Sequence, residues 1–463
     1  MVSELLPWSR NDWHETTWGE LVELKYGKAL QNYKEATTGF PVYGTNGAVG
    51  FNDKPLCDHP GVIIGRKGAY RGVHYSSVPF FVIDTAFYIE PRFDINLKWA
   101  YYELLQQDIN GLDSGSAIPS TRREDFYALR VKIPPRYVQD KICVLLDSLN
   151  NKINCNRQIN QTLEQMAQAL FKSWFVDFDP VVDNALDAGF FEQELDLPDE
   201  LLRHAEARKA VRAQEGFKPL PAATRQLFPA AFEPCVEPSL GLGGWVPKGW
   251  EILQLKDLSD KISKGTTPRS SDIELAKGDL ASVLFVKVKD MTDDNRVSLV
   301  SLESIPKSVS TGVLKRSILS EGDILLSIAG TIGRVASVEK ELDGSNCNQA
   351  VAFLRPKDKK EHHLFIKQTL QSENVRQYIT SKVVQAVQAN FSLTHFGEIQ
   401  IVLPSDQAMK CFNLLATAYS SRVISNLRQI DILTKLRDTL LPKLISGELS
   451  LDDVELTSQQ GAA

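Results

Sequence analysis

The sequence predicts an α+β fold in which two similar mixed α/β domains are separated by two long antiparallel coiled-coil helices, with a pseudo-twofold internal repeat. Two stretches of about 40 residues carry apolar residues at alternating steps of three and four, the spacing of a helix packed along one partner helix. The segments between them contain short apolar runs punctuated by glycine, which is typical of strands. Several motifs occur twice in the same order, and such repetition defines the architecture.

The first helix is predicted between residues 138 and 178. Pro134-Pro135 precede it and Pro180 follows it, so proline bounds it at both ends. Roughly 38 residues at 1.5 Å each give a rod of about 57 Å. The positions that form its seam are Ile142, Leu146, Leu149, Ile153, Asn156, Asn160, Leu163, Ala167, Leu170 and Trp174.

The second helix is predicted after Pro404. The tripeptide Arg157-Gln158-Ile159 of the first helix recurs there as Arg428-Gln429-Ile430. We expect Pro442 to end this helix near Leu441 and to leave the sequence LISGEL as a packed tail. The seam positions are Phe412, Leu415, Tyr419, Val423, Asn426, Ile430, Leu433, Leu436, Leu440 and Leu444.

These helices divide the chain into five predicted segments. A first globular domain occupies 1–136, the first helix 137–180, a connector 181–244, a second globular domain 245–405, and the second helix with a tail 406–463. The charged and Pro/Ala-rich composition of the connector is that of a tether on the surface of other parts. The second domain mirrors the first, with Trp250 opposite Trp13, Leu258 opposite Leu21, and Phe396 opposite Phe126.

Composition bounds the function classes. The chain is 43% hydrophobic and 24% charged, and it has neither the run of about 18 apolar residues of a membrane span nor a signal-peptide core at its N-terminus. We therefore expect a cytoplasmic chain without membrane contact. The formal charge of −6 argues against nucleic acid only at first sight, because residues 181–244 alone carry 11 acidic and 6 basic residues. A DNA-binding face must be a local patch on near-neutral domains.

The motifs resemble those of the specificity (S) subunits of type I restriction-modification systems, over essentially the whole chain. The segments that carry the resemblance are FPVYGTNGAVGFNDK (40–54), PGVIIGRKGAYRGV (60–73), PFFVIDTAFYI (79–89), QINQTLEQMAQALFKSWFVDFDPV (158–181), LFPAAFEP (227–234), GWVPKGWE (244–251) and LLPKLISGEL (440–449).

The resemblance implies two target-recognition domains that each read one half-site of an asymmetric bipartite double-stranded DNA sequence. The two helices would set the spacer and help to dock two methyltransferase (M) subunits, and restriction (R) subunits would join through the complex of one S subunit with two M subunits. S-adenosylmethionine, ATP and Mg²⁺ would be bound by those partners, and we expect no cofactor, metal or catalytic residue in this chain. A rod of about 57 Å is long enough for two readers one turn of DNA apart, about 34 to 36 Å.

The sequence agrees with a non-catalytic chain. No Asn/Asp-Pro-Pro-aromatic methylase motif occurs, and the nearest match, Ile133-Pro134-Pro135-Arg136, lacks its first and fourth residues. No G-x-x-x-x-G-K-[ST] nucleotide loop is present, although Gly330 and Gly333 match part of one. The histidines lack metal-ligand spacing, and the six cysteines form no C-x-x-C pair.

In the first domain the candidate DNA-binding residues surround two glycine-containing turns. Glycine lets backbone approach DNA closely, Arg grips guanine and Lys supplies phosphate charge. A solvated hairpin turn is the simpler interpretation of the same pattern. The candidates are Thr45, Asn46, Arg66, Lys67, Tyr70 and Arg71.

In the second domain the candidates form three groups, each of which alone is more often a set of solvated residues. Four are predicted on a loop after a short helix, two on one face of a strand because of their period of two, and two in the repeated glycine loop. These are, in turn, Lys264, Thr266, Thr267 and Arg269; Lys287 and Lys289; and Thr331 and Arg334.

Asn156, Asn160 and Asn426 occupy seam positions, where a buried Asn fixes helix register at a cost in stability. Register would in turn fix the DNA spacer. Phe171, Trp174 and Phe175 are too many aromatic residues for one seam, and packing into a core is the favoured interpretation.

Two other function classes compete with this interpretation. A coiled-coil scaffold with two protein-binding modules suits the near-neutral domains, and it would show no DNA sequence preference and little counterion release. A cutting or methylating enzyme fused to such domains is disfavoured, because nearly every residue is assigned to a domain, a rod or the connector.

Overall fold

The computed structural model describes residues 13–112, 119–300, 302–384 and 390–449. The chain forms two compact units, unit 1 from Met1–Ile159 with Ser425–Ala463 and unit 2 from Asn160–Ile424. Both long helices contribute residues to both units, so the units cut across the five predicted segments. Within the described ranges, no helix has the length and apolar character that a membrane span requires.

Unit 1 is built on a four-stranded antiparallel sheet with the order β2-β8-β5-β6, beside a three-stranded sheet β4-β3-β7 and a pair β1-β9. Its strands are β1 His14–Thr17, β2 Val22–Tyr26, β3 Phe40–Gly44, β4 Gly47–Asn52, β5 Gly61–Gly65, β6 Val73–Ser76, β7 Phe81–Val82, β8 Ala86–Pro91 and β9 Arg130–Ile133. Its shorter helices are α1 Trp18–Leu21, α2 Leu97–Leu104 and α3 Arg123–Tyr127.

The core of unit 1 forms because its central strand is apolar on both faces. Every residue of β5 is buried, as expected for a strand covered on both sides. Trp18 packs against Trp99 and Phe126 with ring centroids 6.4 and 5.9 Å apart. Asn96 caps α2 by accepting hydrogen bonds from the backbone N–H groups of Lys98 and Trp99, which fixes where the helix starts.

Unit 2 repeats this topology with a four-stranded sheet β13-β19-β16-β17, a three-stranded sheet β15-β14-β18 and a pair β12-β20. It also contains a separate pair, β10-β11. Its strands are β10 Phe232–Pro234, β11 Trp245–Pro247, β12 Glu251–Gln254, β13 Ser259–Lys264, β14 Ser282–Val286, β15 Glu303–Pro306, β16 Ile324–Ser327, β17 Val335–Ser337, β18 Asn346–Cys347, β19 Val351–Pro356 and β20 Gln400–Leu403. Its shorter helices are α5 Asp179–Asp187, α6 Asp199–Arg212, α7 Ala222–Arg225, α8 Ser270–Leu275, α9 Lys307–Thr311, α10 Lys359–Gln371, α11 Glu373–Val384 and α12 Leu393–Gly397.

The predicted internal repeat is confirmed by strand order and by pairing. His14 pairs with Ile133 in unit 1, and Glu251 pairs with Leu403 at the matching place in unit 2. The two sequences fall out of step by one residue in β13, where the register shifts between Ser259 and Lys261. Such a bulge inserts one residue into a strand. Gly27 after β2 therefore corresponds to Gly265 after β13, whereas the spacing from Trp13 and Trp250 would place it opposite Lys264.

The predicted tether is wrong, because the connector folds into the core of unit 2. Val181, Leu201 and Phe232 are buried there. Asp183 is 3% exposed and accepts two hydrogen bonds from the Arg208 guanidinium, at 2.9 and 2.7 Å. The apolar residues of the connector give it a buried face despite its many charges. The bidentate ion pair between Asp183 of α5 and Arg208 of α6 holds these two helices together.

The first long helix, α4, spans Arg136–Phe175, 40 residues or about 60 Å. It begins after Pro134-Pro135 as predicted but ends three residues before the predicted end, and Phe178 beyond it has a positive φ of 53°. Its seam is confirmed: all ten predicted positions are buried or half-buried. Phe171, Trp174 and Phe175 are in the core of unit 2, where Phe175 lies 5.1 Å from the ring of Phe412.

The second long helix, α13, spans Asp406–Ser446, so the prediction that Pro442 ends it is wrong. Proline removes one backbone hydrogen bond, but Leu444 and Ile445 beyond it are buried in the core of unit 1, and this burial favours a further helical turn. The predicted seam also drifts: Leu415 and Leu436 are exposed, whereas Ala416 and Leu441 are buried.

The two long helices run antiparallel within unit 1. Asn150 Oδ1 accepts a hydrogen bond from Arg437 at 3.1 Å, and Asn156 Nδ2 donates to Gln429 Oε1 at 3.1 Å. Since the partner number falls as the position along α4 rises, the helices point in opposite directions. This confirms the predicted antiparallel pairing for the part of both helices in this unit.

Candidate nucleic-acid interface

In unit 1 the predicted residues lie where β5 ends, at one edge of the four-stranded sheet. Thr45 and Asn46 form the turn between β3 and β4, and residues 66–72 connect β5 to β6. The Thr45 hydroxyl lies 2.9 Å from the carbonyl oxygen of Lys67 and 3.1 Å from that of Thr85. The backbone N–H of Gly72 donates to the Thr45 carbonyl at 3.1 Å. Thr45 therefore links three turns into one surface.

The segment after β2 packs against this surface at a glycine, Gly27. A Cβ at Gly27 would lie 2.0 Å from the carbonyl oxygen of Ile83, and a Cβ at Gly265 in unit 2 would lie 2.0 Å from that of Cys347. Both glycines follow the last residue of the equivalent strand, and each donates its N–H to the facing strand segment, at 3.1 and 3.0 Å. No side chain fits at either position, so both sheet edges require glycine.

Three of the predicted side chains in unit 1 are presented outward. Asn46 and Lys67 are exposed, and Tyr70 is 66% exposed. The Asn46 amide lies 2.7 Å from the carbonyl oxygen of Tyr70, so the two turns that carry these residues touch. An amide, an ammonium and an aromatic ring on one surface can hydrogen-bond a base edge, neutralise a phosphate and pack on a sugar or base.

Arg71 does not belong to this outward set. Its side chain is 2% exposed, and its guanidinium donates to the carbonyl oxygens of Gly68 at 3.0 Å and Asn110 at 2.6 Å. These bonds tie the β5–β6 turn to the segment after α2. The burial argues against the predicted DNA contact and assigns Arg71 a supporting role in this conformation.

Tyr26 and Arg123 also lie at this edge, and the sequence did not predict either of them. The guanidinium carbon of Arg123 lies 3.9 Å from the centroid of the Tyr26 ring, and that of Arg66 lies 4.8 Å from the same centroid. Tyr26 is 48% exposed. The pairing brings together two cations that are distant in sequence. The Arg122-Arg123 dipeptide was the available signal, but a short basic run alone is usually a solvated surface.

A half-buried histidine, His74, packs behind the same turns. His74 sits beneath Gly47 and Gly72, and burial lowers the pKa of its imidazole. The neutral ring is therefore favoured at neutral pH, so the positive charge of this edge comes from its Arg and Lys residues.

In unit 2 the first predicted group follows a strand and not a helix, which corrects the prediction. Lys264 ends β13, and Thr266, Thr267 and Arg269 lie between it and α8. All four are exposed. The Thr266 N–H donates to the Cys347 carbonyl at 3.0 Å, and the Thr267 hydroxyl donates to Gln349. This group occupies the edge equivalent to that of Tyr26 in unit 1.

The prediction that Lys287 and Lys289 share one face of a strand is wrong, because β14 ends at Val286 and a 3₁₀ turn follows. They nevertheless converge. Their ammonium groups lie 2.6 and 3.0 Å from the two carboxylate oxygens of Glu303. The lysine hydrogen bonds lower the pKa of Glu303, so this carboxylate keeps its charge and offsets one of the two cations.

Thr331 and Arg334 lie in the turn between β16 and β17, the counterpart of residues 66–72. Thr331 is exposed, while Arg334 donates to the Met291 carbonyl at 2.7 Å and pairs with Asp293 at 2.7 Å. These contacts join the glycine turn to the segment after β14. A groove of about 490 Å³ runs beside it, and α11 lines its other side.

The three helix asparagines are buried as predicted. Asn156, Asn160 and Asn426 are 1%, 2% and 0% exposed. Asn156 bonds across the helix pair in unit 1 to Gln429. A buried polar residue that needs a partner at one height disfavours other alignments of the helices. Their effect on register stays a prediction.

Together these features describe surfaces for binding. Unit 1 presents cations and an amide, and unit 2 presents cations and hydroxyl groups, on turns at the edge of a sheet. The described residues contain no group of three His, Cys, Asp or Glu side chains placed to hold a metal ion. The contact of any of these residues with DNA stays a prediction.

Comparison with known proteins covers most of the chain. The family model described as "Type I restriction modification DNA specificity domain" matches residues 10–165 and 247–432. The specificity subunit of the type I restriction enzyme HindI from Haemophilus influenzae is 29% identical over 362 residues, 75% of this chain and 74% of that protein. The MjaIX specificity subunit from Methanocaldococcus jannaschii is 22% identical over 374 residues, 79% of this chain and 72% of that protein. The crystal structure of an S subunit of a type I restriction-modification system from M. genitalium has the same fold, with a TM-score of 0.55, 15% identity and coverage of 96% of this chain and 99% of that one.

Proposed function

Because this chain belongs to the type I restriction modification DNA specificity domain family, we propose that it is the DNA sequence-recognition subunit of a type I restriction-modification complex. It binds an asymmetric bipartite double-stranded DNA target, and each unit reads one half-site. The chain itself is non-catalytic and acts in the cytoplasm. Its named relatives are specificity subunits of type I restriction enzymes.

The observation that carries this proposal is one surface built twice with different side chains. Both units place turns at the same edge of sheets with the same strand order. On the β5–β6 turn unit 1 presents Lys67 and Tyr70, whereas on the equivalent β16–β17 turn unit 2 presents Thr331. The equivalent scaffolds favour the same kind of ligand, and the different side chains favour different base sequences.

The proposed partners follow from the family. The chain docks two methyltransferase (M) subunits, and restriction (R) subunits join the resulting complex of one S and two M subunits. S-adenosylmethionine, ATP and Mg²⁺ are proposed to bind to those partners, with no cofactor on this chain. The paired long helices hold the two readers at a set distance, so that helix register determines the length of the DNA spacer.

The proposal is tested by expressing the chain with its M subunits in a host that lacks other adenine methylation and sequencing the modified genome. We expect methylated adenines in one bipartite motif whose two halves differ. DNA affinity of the same complex should fall steeply as salt rises, because phosphate contacts release counterions. Methylation without a bipartite motif, or binding with no sequence preference and a flat salt dependence, would contradict the proposal and favour a scaffold.

A further inference from the structure

Helix α11 lies near the predicted DNA surface of unit 2 and has no counterpart among the described residues of unit 1. In unit 2, 21 residues separate α10 from α12, and Glu373–Val384 form α11. In unit 1, α2 ends at Leu104 and α3 starts at Arg123, and the described residues between them, 105–112 and 119–122, hold no helix. The described parts of the two units therefore differ by this helix, next to the surfaces that are predicted to read different DNA sequences.

One face of α11 is anchored in the core of unit 2. Val375 and Ile379 are buried at 7% and 3% exposure, and the Tyr378 ring lies 6.3 Å from that of Phe391. These positions recur at steps of three and four, so they fix the rotation of the helix about its axis. The opposite face, which includes Arg376, Gln377 and Thr380, is exposed.

The exposed face lies beside the glycine turn. Arg376 and Thr380 line the groove of about 490 Å³ together with Thr331 and Arg334 of the β16–β17 turn. Asp293 is the one carboxylate among the residues that line the groove, and it pairs with Arg334 at 2.7 Å. The helix thus continues the surface that holds two of the predicted DNA-binding residues.

The charge of this face suits a polyanion. Helix α11 carries two basic residues, Arg376 and Lys382, and one acidic residue, Glu373 in its first turn, so its net charge is +1; residues 374–397 contain no Asp or Glu. Among the described residues, the Arg376 side chain has no hydrogen-bond or ion-pair partner, and the Gln377 amide donates to Glu373 at 3.2 Å. A positive, amide-bearing helix of about 18 Å fits the major groove of DNA, which admits an α-helix.

From this geometry we infer that α11 is a second DNA-reading element of unit 2. Its Arg376–Gln377–Thr380 face contacts the same half-site as the Thr331–Arg334 turn. The inference rests on the proposed function and deepens it: unit 2 reads its half-site with a helix and a turn, and unit 1 reads the other with turns. Arg376 supplies a guanidinium for guanine or phosphate, and Gln377 supplies an amide for adenine.

The test uses the complex of the full chain with its M subunits and measures the dissociation constants for the methylated motif, for duplexes changed in either half, and for random duplex. Arg376→Ala and Gln377→Ala should each weaken cognate binding, Arg376→Ala by about tenfold or more. The loss of discrimination should be confined to one half-site, the one that Arg334→Ala also alters. Arg203→Ala, an exposed arginine on α6, is the matched control and should bind as the unchanged chain does.

A gain-of-binding variant separates a lost contact from misfolding. Thr380→Lys adds a cation to the groove and should tighten binding to random duplex severalfold, with a steeper salt dependence. If Arg376→Ala and Thr380→Lys behave like Arg203→Ala while Arg66→Ala still relaxes the other half-site, the inference about α11 is wrong and the proposed function stands. If the unchanged complex shows no sequence preference, the proposed function itself fails.

Discussion

The carboxylate of Glu303 restrains two lysines that are predicted to contact DNA, and its removal should strengthen non-specific binding. Glu303 accepts hydrogen bonds from Lys287 and Lys289 at 2.6 and 3.0 Å, so the three side chains carry a net charge of +1. Glu303→Gln keeps the size of the side chain and raises that charge to +2. The freed ammonium groups can then each neutralise one phosphate.

The size of the effect follows from counterion release. Each phosphate neutralised on duplex DNA contributes about −0.9 to the slope of log affinity against log salt. One or two additional phosphate contacts should therefore steepen the slope by about 0.9 to 1.8. Affinity for random duplex should rise at low salt and converge with that of the unchanged chain at high salt, where electrostatic attraction is screened.

The assay is a salt titration of DNA binding by the complex with M subunits. Glu361→Gln is the matched control. Glu361 on α10 pairs with Lys410 of α13 at 3.8 Å, and the substitution removes the same charge at a place outside the predicted surface. The reasoning is refuted if Glu303→Gln and Glu361→Gln give the same slope, since Lys287 and Lys289 would then not approach DNA.

Three further results are expected. Arg66→Ala should cost about 1 to 3 kcal/mol of cognate binding and relax one half-site; an equal loss on cognate and random duplex in a binding titration would reject readout by this residue. Insertion of four residues near Asn156 lengthens the helix by about 6 Å and should lengthen the DNA spacer seen in sequenced methylated motifs, so an unchanged spacer would reject the ruler. Burial raises the pKa of Glu103 from 4.5 to about 7, so the folded state binds this proton more tightly than the unfolded state. Unit 1 should therefore lose about 3 kcal/mol of unfolding free energy as pH rises from about 4.5 to 7; denaturation at several pH values should show this dependence weakened in Glu103→Gln, and an undiminished dependence would assign it to other groups.

Much of the fold was predictable because it depends on patterns that the sequence repeats. Pro134-Pro135 and the heptad spacing predicted α4, and the duplicated motifs predicted that the second domain mirrors the first. The errors arose where burial outweighed a local rule. Pro442 does not end α13, because Leu444 beyond it packs into the core of unit 1.

The candidate site was less predictable, since side-chain direction depends on contacts distant in sequence. The position of Arg71 among glycines predicts a DNA contact, yet its guanidinium is buried and donates to the carbonyl oxygens of Gly68 and Asn110. Tyr26 and Arg123 were missed because 96 intervening residues conceal their contact. The period of two at Lys287 and Lys289 suggested a strand, but only the fold reveals their common partner, Glu303.

The turns of unit 1 are linked largely through main-chain atoms, and this has an evolutionary consequence. The bonds that join Arg66 to Thr85, Gly68 to Pro119, and Gly72 to Thr45 run between backbone N–H and carbonyl groups. Such bonds do not depend on which side chains stand at Lys67 or Tyr70. Point mutations at these two positions can therefore generate new ligand preferences without unfolding the turns that display them.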